Sequence, residues 1–265
     1  MIPWFDVRVL SLGPVQYNAF GLLVAIAIIV GSKLMRRRGQ ALGLDDDKVF
    51  WMMGMVFISG IVCSHLFDVF AYQTSEPLTL TTLLNPFHGM SSYGGFIGAT
   101  AGLFLWCKWK HQPRMPYADC VGYGMAAAWF FGRLGCFAIH DHPGRTTNFF
   151  LGVQYPWGAR HDLGLYEALW SLGVVVLFEI LWITNPKRPA GVYLSLIAML
   201  YGPVRFCLDF LRAEDTAGAD PRYWGFTPAQ YLSVLATLIG AQLARWTIRN
   251  ARPVAGGPGE ATGVV

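Results

Sequence analysis

The stretch Tyr201-Gly202-Pro203-Val204-Arg205-Phe206-Cys207-Leu208-Asp209-Phe210-Leu211-Arg212 closes an apolar run that begins at Val192. A helix needs about 20 apolar residues to cross the hydrocarbon core of a bilayer, and this run is of that length. It also carries Arg205, Asp209 and Arg212 at i, i+4 and i+7, which puts all three charges on one helical face. Charges inside a membrane helix are costly, and they face one another or a cavity. Pro203 lacks an amide hydrogen and loosens the helix beside them. Two guanidinium groups around one carboxylate form either a structural ladder or, because one positive charge is left over, an anion clamp whose geometry Asp209 fixes. The run reads as a membrane helix with a chemical task.

Working outward, six further runs have similar character: about Tyr17–Met35, Val49–Tyr72, Tyr93–Trp109, Cys120–Ile139, Leu163–Ile183 and Pro228–Trp246. The composition agrees. Of 265 residues, 54% are hydrophobic and 14% charged, against about 25% charged in soluble domains, and the mean hydropathy is +0.40. The expected fold is an all-α membrane protein: seven transmembrane helices within 1–252, then a disordered cytoplasmic tail, 253–265, rich in Gly, Pro and Ala. The first long run lacks a basic leader and a small-residue cleavage site, so it is expected to stay as a helix. The five cysteines, Cys63, Cys107, Cys120, Cys136 and Cys207, are odd in number, form no CxxC pair and lie mostly in apolar runs. They read as small buried residues, not as disulfides or zinc ligands. The formal charge of +4 comes with no basic face interleaved with aromatics, so no nucleic acid is expected as a partner.

Lys and Arg in short loops set orientation. Lys33, Arg36, Arg37, Arg38, Lys48, Lys108, Lys110, Arg114, Lys187, Arg188, Arg245, Arg249 and Arg252 follow the first, third, fifth and seventh runs, and they make up 13 of the 20 basic residues. That side is expected to be cytoplasmic, with the N-terminus outside. Arg8, Arg133, Arg145, Arg160, Arg205, Arg212 and Arg222 lie on or near the outer side, against the rule, and point to function. Residues 140–162, with Pro143, Gly144, Pro156 and Gly158 among aromatics, predict a small irregular outer (periplasmic) cap.

Further candidates cluster at that outer side. Gly132-Arg133-Leu134-Gly135 puts a second buried cation near the end of the fourth run, between glycines that permit close approach. Snorkelling of Arg133 to the interface is the alternative. Ser91-Ser92-Tyr93-Gly94-Gly95-Phe96-Ile97-Gly98 opens the third helix, where free amides favour an anion, although ordinary capping and helix packing read equally well. His140, His142 and His161 supply titratable groups to the cap. His140-Asp141-His142 has no third ligand at metal spacing, so no metal is expected. Glu167 suits the start of the fifth helix. Arginines converging at one leaflet favour a phosphate headgroup, which guanidinium forks match bidentately.

Together these motifs resemble the bacterial prolipoprotein diacylglyceryl transferase family, from Leu12-Gly13-Pro14 to Gly240. The resemblance rests on Gly89-Met90-Ser91 with Gly94, Gly95 and Gly98; on Gly132-Arg133-Leu134-Gly135; on Arg160-His161 with Leu165-Tyr166-Glu167; and on Tyr201-Gly202 with Arg205, Asp209, Arg212 and Asp215. It implies seven helices and transfer of diacylglyceryl from phosphatidylglycerol to the lipobox cysteine of a preprolipoprotein. The reaction would take place at the outer face of the bacterial inner membrane, with release of glycerol phosphate and no cofactor. It implies Arg133 and Arg205 as essential catalytic arginines, Asp209 at a position usually held by Glu, Arg212 as a further basic position and Gly144 as a loop glycine. The sequence departs from the pattern elsewhere too. Tyr93 stands for the histidine of HGG, Cys136 for the asparagine of GRxGN, Phe20 for a tyrosine, His65 for an arginine and Asp141 for a loop glutamate. The protonation step is then expected to fall to His142, His140 or a network around Tyr93, with Gly94, Gly95, Gly98, Cys136, Gly144, His161 and Glu167 lining the substrates: phosphatidylglycerol, the lipobox peptide and membrane lipids. The alternatives are a non-catalytic lipid- or lipoprotein-binding paralogue and a transporter. A transporter would place its charges mid-membrane on paired broken helices rather than at one face.

Overall fold

The computed structural model describes residues 1–5, 7–12, 15–71, 79–84, 90–215 and 222–250; of Ser92 and Tyr93 it describes the backbone alone. The expected tail 253–265 and most of 73–91 lie outside the described residues. The described chain is mostly helical: α1 Ala19–Ala41, α2 Asp46–Ala71, α3 Leu80–Leu84, α4 Ser92–Trp109, α5 Arg114–Ile139, α6 Leu163–Thr184, α7 Val192–Leu208 and α8 Pro228–Arg249. Each apolar run of the sequence holds one long helix. Among the described residues, four stretches are long and apolar enough to cross a membrane: Ala19–Ala41, Asp46–Phe70, Leu163–Thr184 and Val192–Leu211. Large apolar side chains such as Ile29, Ile58, Leu105, Ile180, Ile183, Leu238 and Ile248 face outward, a surface suited to lipid rather than water.

The ends of the helices follow local chemistry. Asp45 Oδ1 accepts from the amides of Asp47 and Lys48 at 2.9 and 3.2 Å, so α2 starts before its apolar run. Thr227 and Gln230 close a capping box with Pro228 in the first turn of α8. Helix α7 tightens into a 3₁₀ turn at Asp209–Leu211, just beyond Pro203.

The fold is not all-α, and the expected irregular cap is a sheet. Strands β1 (Ile2–Pro3), β4 (Pro143–Thr146), β5 (Val153–Tyr155) and β6 (Gly158–Asp162) pair in the order β1-β5-β6-β4. A separate hairpin joins β2 (Val9–Leu12) and β3 (Val15–Asn18). The reason is a period of two: Val153 and Tyr155 are buried and Gln154 is exposed, and the hairpin turns at Gly158, whose φ of 124° suits glycine.

The chain divides into two compact units, Gly39–Ala118 and the rest. In the smaller, α4 lies flat on α2. A Cβ added at Gly94 or Gly98 would fall 2.3 Å from the carbonyl oxygens of Cys63 or Ser59, and one at Gly102 would fall 2.0 Å from Ser59 Oγ. In the larger, Tyr123, Ala126, Val174, Phe178, Tyr193 and Ile197 form the core between α5, α6 and α7. Gly202 and Gly240 let α7 and α8 touch: a Cβ at Gly202 would meet Thr237 Oγ1 at 2.1 Å and Ser233 O at 2.5 Å. At the far end from the cap, Arg38 is wholly buried. It donates to Asp119 (2.9 Å) and to the carbonyls of Pro186, Arg188 and Pro189 at 2.8–3.1 Å.

Candidate functional site

Three helices of the larger unit bring charges together. Arg133 comes from the last turns of α5, Glu167 from the first turns of α6 and Arg205 from the end of α7. Arg205 Nη1 donates to Glu167 Oε1 at 2.7 Å, and Arg133 Nε stands 2.9 Å from Glu167 Oε2 as an ion pair. Glu167 is 1% exposed, whereas the arginine side chains keep 14% and 11% exposure, so the cations border an opening and their acid does not. Arg133 also lies over the Trp129 ring, 4.9 Å from its centre.

Asp209 extends the cluster. Its Oδ1 lies 3.1 Å from Arg205 Nη2 and 3.2 Å from Arg212 Nε, and the hydroxyl of Thr227 donates to its Oδ2. The three charges on the face read from Tyr201–Arg212 therefore do meet, across a helix end that changes pitch. Among the described residues, three guanidinium groups gather on the two carboxylates of Glu167 and Asp209. Guanidinium groups that border an opening suit an anion with several oxygens.

Four placements differ from expectation. Arg133 has no acid near it in sequence, and its partner Glu167 lies 34 positions on; Glu167, read from the sequence as suited to a helix start, pairs with both Arg133 and Arg205. His140 is a buried post of the cap. Its φ of 53° turns the ring inward, where Nδ1 pairs with Asp162 Oδ2 at 2.7 Å and the ring stacks on Trp4 at 4.5 Å. Three of the seven outer arginines hold the cap. Arg145 and Arg222 pair with Glu214, and Arg160 with Asp215, stapling the cap to the chain after α7. The arginine beside it holds the Asp215 carboxyl below its ordinary range. Cys207, expected among small buried residues, is exposed, whereas Cys107, Cys120 and Cys136 are buried.

The other candidates sort by place. Gly94 and Gly98 serve helix packing in the smaller unit, and an added Cβ at Gly95 would make only ordinary contact with Ser64. Tyr93 heads α4 in that unit, and its side chain lies outside the described residues. Gly135 sits against the Phe20 ring. Gly144 is where Leu211 crosses the cap: a Cβ there would lie 2.5 Å from Leu211 O. His161 Nδ1 meets the Tyr166 hydroxyl at 2.7 Å, and burial holds the imidazole below its ordinary range. Both line an apolar cleft of about 420 Å³ with Phe149, Leu151, Leu169 and Leu211. Past the end of α5, Asp141 and His142 pair with each other, and their ligand atoms and Cys136 Sγ all lie within 4.8 Å of one another. That is the third donor the sequence spacing did not supply.

Comparison with known proteins gives the chain's family. Residues 8–246 match the family described as prolipoprotein diacylglyceryl transferase. The chain belongs to this family. Among similar proteins, the phosphatidylglycerol–prolipoprotein diacylglyceryl transferase of Nitratidesulfovibrio vulgaris strain DP4 is 31% identical over 92% of this chain and 95% of its own. That of strain Miyazaki F is 29% identical over 97% of each chain. The protein of the same name from Chromohalobacter salexigens is 29% identical over 94% of each.

Two positioning residues were not singled out from the sequence. Asp162 accepts from the Leu165 amide at 2.9 Å as the cap of α6, while its other oxygen takes His140 and Tyr155. An Asp just before an apolar run is a readable cap signal. Thr227 steadies Asp209 while capping α8, and Thr-Pro-x-Gln is likewise readable.

Proposed function

We infer that the chain transfers the diacylglyceryl group of phosphatidylglycerol to the cysteine thiol of a preprolipoprotein lipobox, as its family membership and the names of its relatives support. The observation that carries this reading is the pair of part-exposed arginines, Arg133 and Arg205, held on one buried carboxylate. The acceptor sulfur forms a bond to the glyceryl carbon that bears the phosphate. The carbon–oxygen bond breaks with its electron pair on the phosphate oxygen, and glycerol phosphate leaves. The added negative charge falls where Arg133 and Arg205 stand, preorganised by Glu167 and Asp209. Each well-placed donor in such a site is worth about 3 kcal/mol. The apolar cleft beside His161 and Tyr166 takes an acyl chain. Loss of the thiol proton falls to the partly exposed Asp141–His142 corner past the end of Arg133's helix, or to Tyr93 at the position of the family's histidine.

The setting we propose is a multi-pass protein of the bacterial inner membrane with seven spans and the N-terminus outside. Two features support it. Strand β1 at the N-terminus joins the cap sheet, so the two share a side. Arg38 and the loop 185–191 share the opposite, basic end.

The test is transfer from phosphatidylglycerol to a lipobox peptide by purified protein. Arg205→Ala and Arg133→Ala should each lose at least about 100-fold, and Lys at either position should rescue poorly because the fork is lost. Near-normal turnover by folded Arg205→Ala overturns the reading. A native chain that binds the lipid yet transfers nothing is a paralogue that kept the clamp without the chemistry.

A further inference from the structure

We propose that Cys136, Asp141 and His142 form a binding site for one zinc-class cation, whose open coordination position takes the thiol of the acceptor peptide. The proposal rests on the transfer reading above and gives His142 the role of a ligand in place of a base.

The site is made by a reversal of the chain. Helix α5 ends at Ile139, and His140, with its φ of 53°, swings its own ring to Asp162 and folds the next residues back. The Asp141 amide then reaches the Cys136 carbonyl at 3.4 Å. A thiol, a carboxylate and an imidazole so come within 4.8 Å of one another. In a tetrahedral zinc site the metal–sulfur bond is about 2.3 Å and the metal–nitrogen and metal–oxygen bonds about 2.0–2.2 Å, so neighbouring donors stand roughly 3.5 Å apart. Reaching that spacing takes side-chain rotations that part the paired atoms of Asp141 and His142 and bring both toward the sulfur, and both residues lie beyond the helix.

The donor set selects the ion. Hard cations such as magnesium and calcium take oxygen ligands, whereas one sulfur, one nitrogen and one oxygen suit zinc and its neighbours. A thiolate and a carboxylate neutralise a divalent charge, so the loaded site is itself neutral, one proton leaving Cys136 as the cation binds. Three protein ligands leave a fourth position for water or substrate, the pattern of a working zinc site and not of a structural one. The metal-facing side chains of Asp141 and His142 keep 34% and 27% exposure, which gives that position a way in. Arg133 stands one turn before Cys136 on α5, and Arg133 and Glu167 are among the charges that act on Cys136. The site thus adjoins the clamp.

A cation there would deprotonate a bound thiol outright. The proton goes to solvent at the exposed edge, the thiolate bonds to the glyceryl carbon, and the leaving phosphate takes the carbon–oxygen electron pair. No oxidant or reductant is involved.

The experiment uses tag-free, full-length protein in detergent, titrated with cobalt as a spectroscopic stand-in for zinc. One equivalent should bind with a thiolate-to-cobalt charge-transfer band, and zinc should displace it. Cys136→Ser should abolish the band. His142→Gln, at a part-exposed position that does not threaten folding, should weaken binding by more than the roughly 10- to 100-fold that loss of an outer partner costs. A lipobox peptide should shift the cobalt spectrum, and its Cys→Ser form should not. Absence of cobalt binding, or a band that survives Cys136→Ser, overturns the site. Binding without a peptide-induced shift overturns the role in thiol capture. Intact cobalt binding and peptide shift in a protein that transfers no lipid would sustain the site and sink the transfer reading instead.

Discussion

Glu167 holds two arginines at once, and replacing it separates binding from stability. Glu167→Gln takes the shared anion from two part-exposed guanidinium groups, a loss whose upper bound is the about 3–5 kcal/mol of stripping a fully buried pair. An anionic lipid can restore that missing charge. Phosphatidylglycerol should therefore raise the melting temperature of Glu167→Gln by more than it raises that of the native chain. An equal or smaller shift would mean that the lipid phosphate does not sit on Arg133 and Arg205. The role of Glu167 was hard to read from the sequence because its partners lie 34 and 38 positions away, and no helical spacing links them. Arg205, Asp209 and Arg212 were legible because they share one face of one run. Tyr93 offers a second test at this scale. Transfer that falls in Tyr93→Phe and survives His142→Gln would assign the proton to the head of α4, and a gain in Tyr93→His would mark the native residue as a weakened form of the family's histidine. His161 gives a pH signature. Burial keeps its imidazole below the ordinary range, so its contribution to stability is complete above the unfolded value of about 6.5 and is lost as pH falls below it. Melting temperature should decline more steeply on acidification in the native chain than in His161→Gln.

At the scale of elements, the cap is where expectation and structure part. Pro143, Gly144, Pro156 and Gly158 suggested irregular chain, yet Val153-Gln154-Tyr155 alternates inside and outside and pairs across a tight turn. The period of two spans only three residues there, too short to stand out among turn formers. The long helices were legible throughout because a lipid-facing helix writes itself as one unbroken apolar run. Their polar starts were not: α5 begins at Arg114, well ahead of the apolar stretch. The cap meets α7 at Gly144, against Leu211 O. Gly144→Ala forces that crossing apart and should destabilise by about 1–3 kcal/mol, as overpacking does. It should also loosen the Arg160–Asp215 staple. A melting temperature equal to that of the native chain would show that the crossing is slack.

For the whole molecule, orientation is the sharpest expectation. A cytoplasmic reporter fused after Arg252 should be active and a periplasmic one silent; the reverse result would remove one of the seven proposed spans. The basic end that this test addresses holds Arg38, buried against Asp119 and three loop carbonyls. Asp119 follows Arg38 by 81 positions, and Pro186 follows by 148. A ribosome adding about 5–20 residues per second needs roughly 7–30 s to make that interval. Through all of it the first helix waits in the bilayer with a guanidinium that has no finished socket. A nascent chain that ends before Pro186 therefore leaves Arg38 without the three carbonyls that complete its socket.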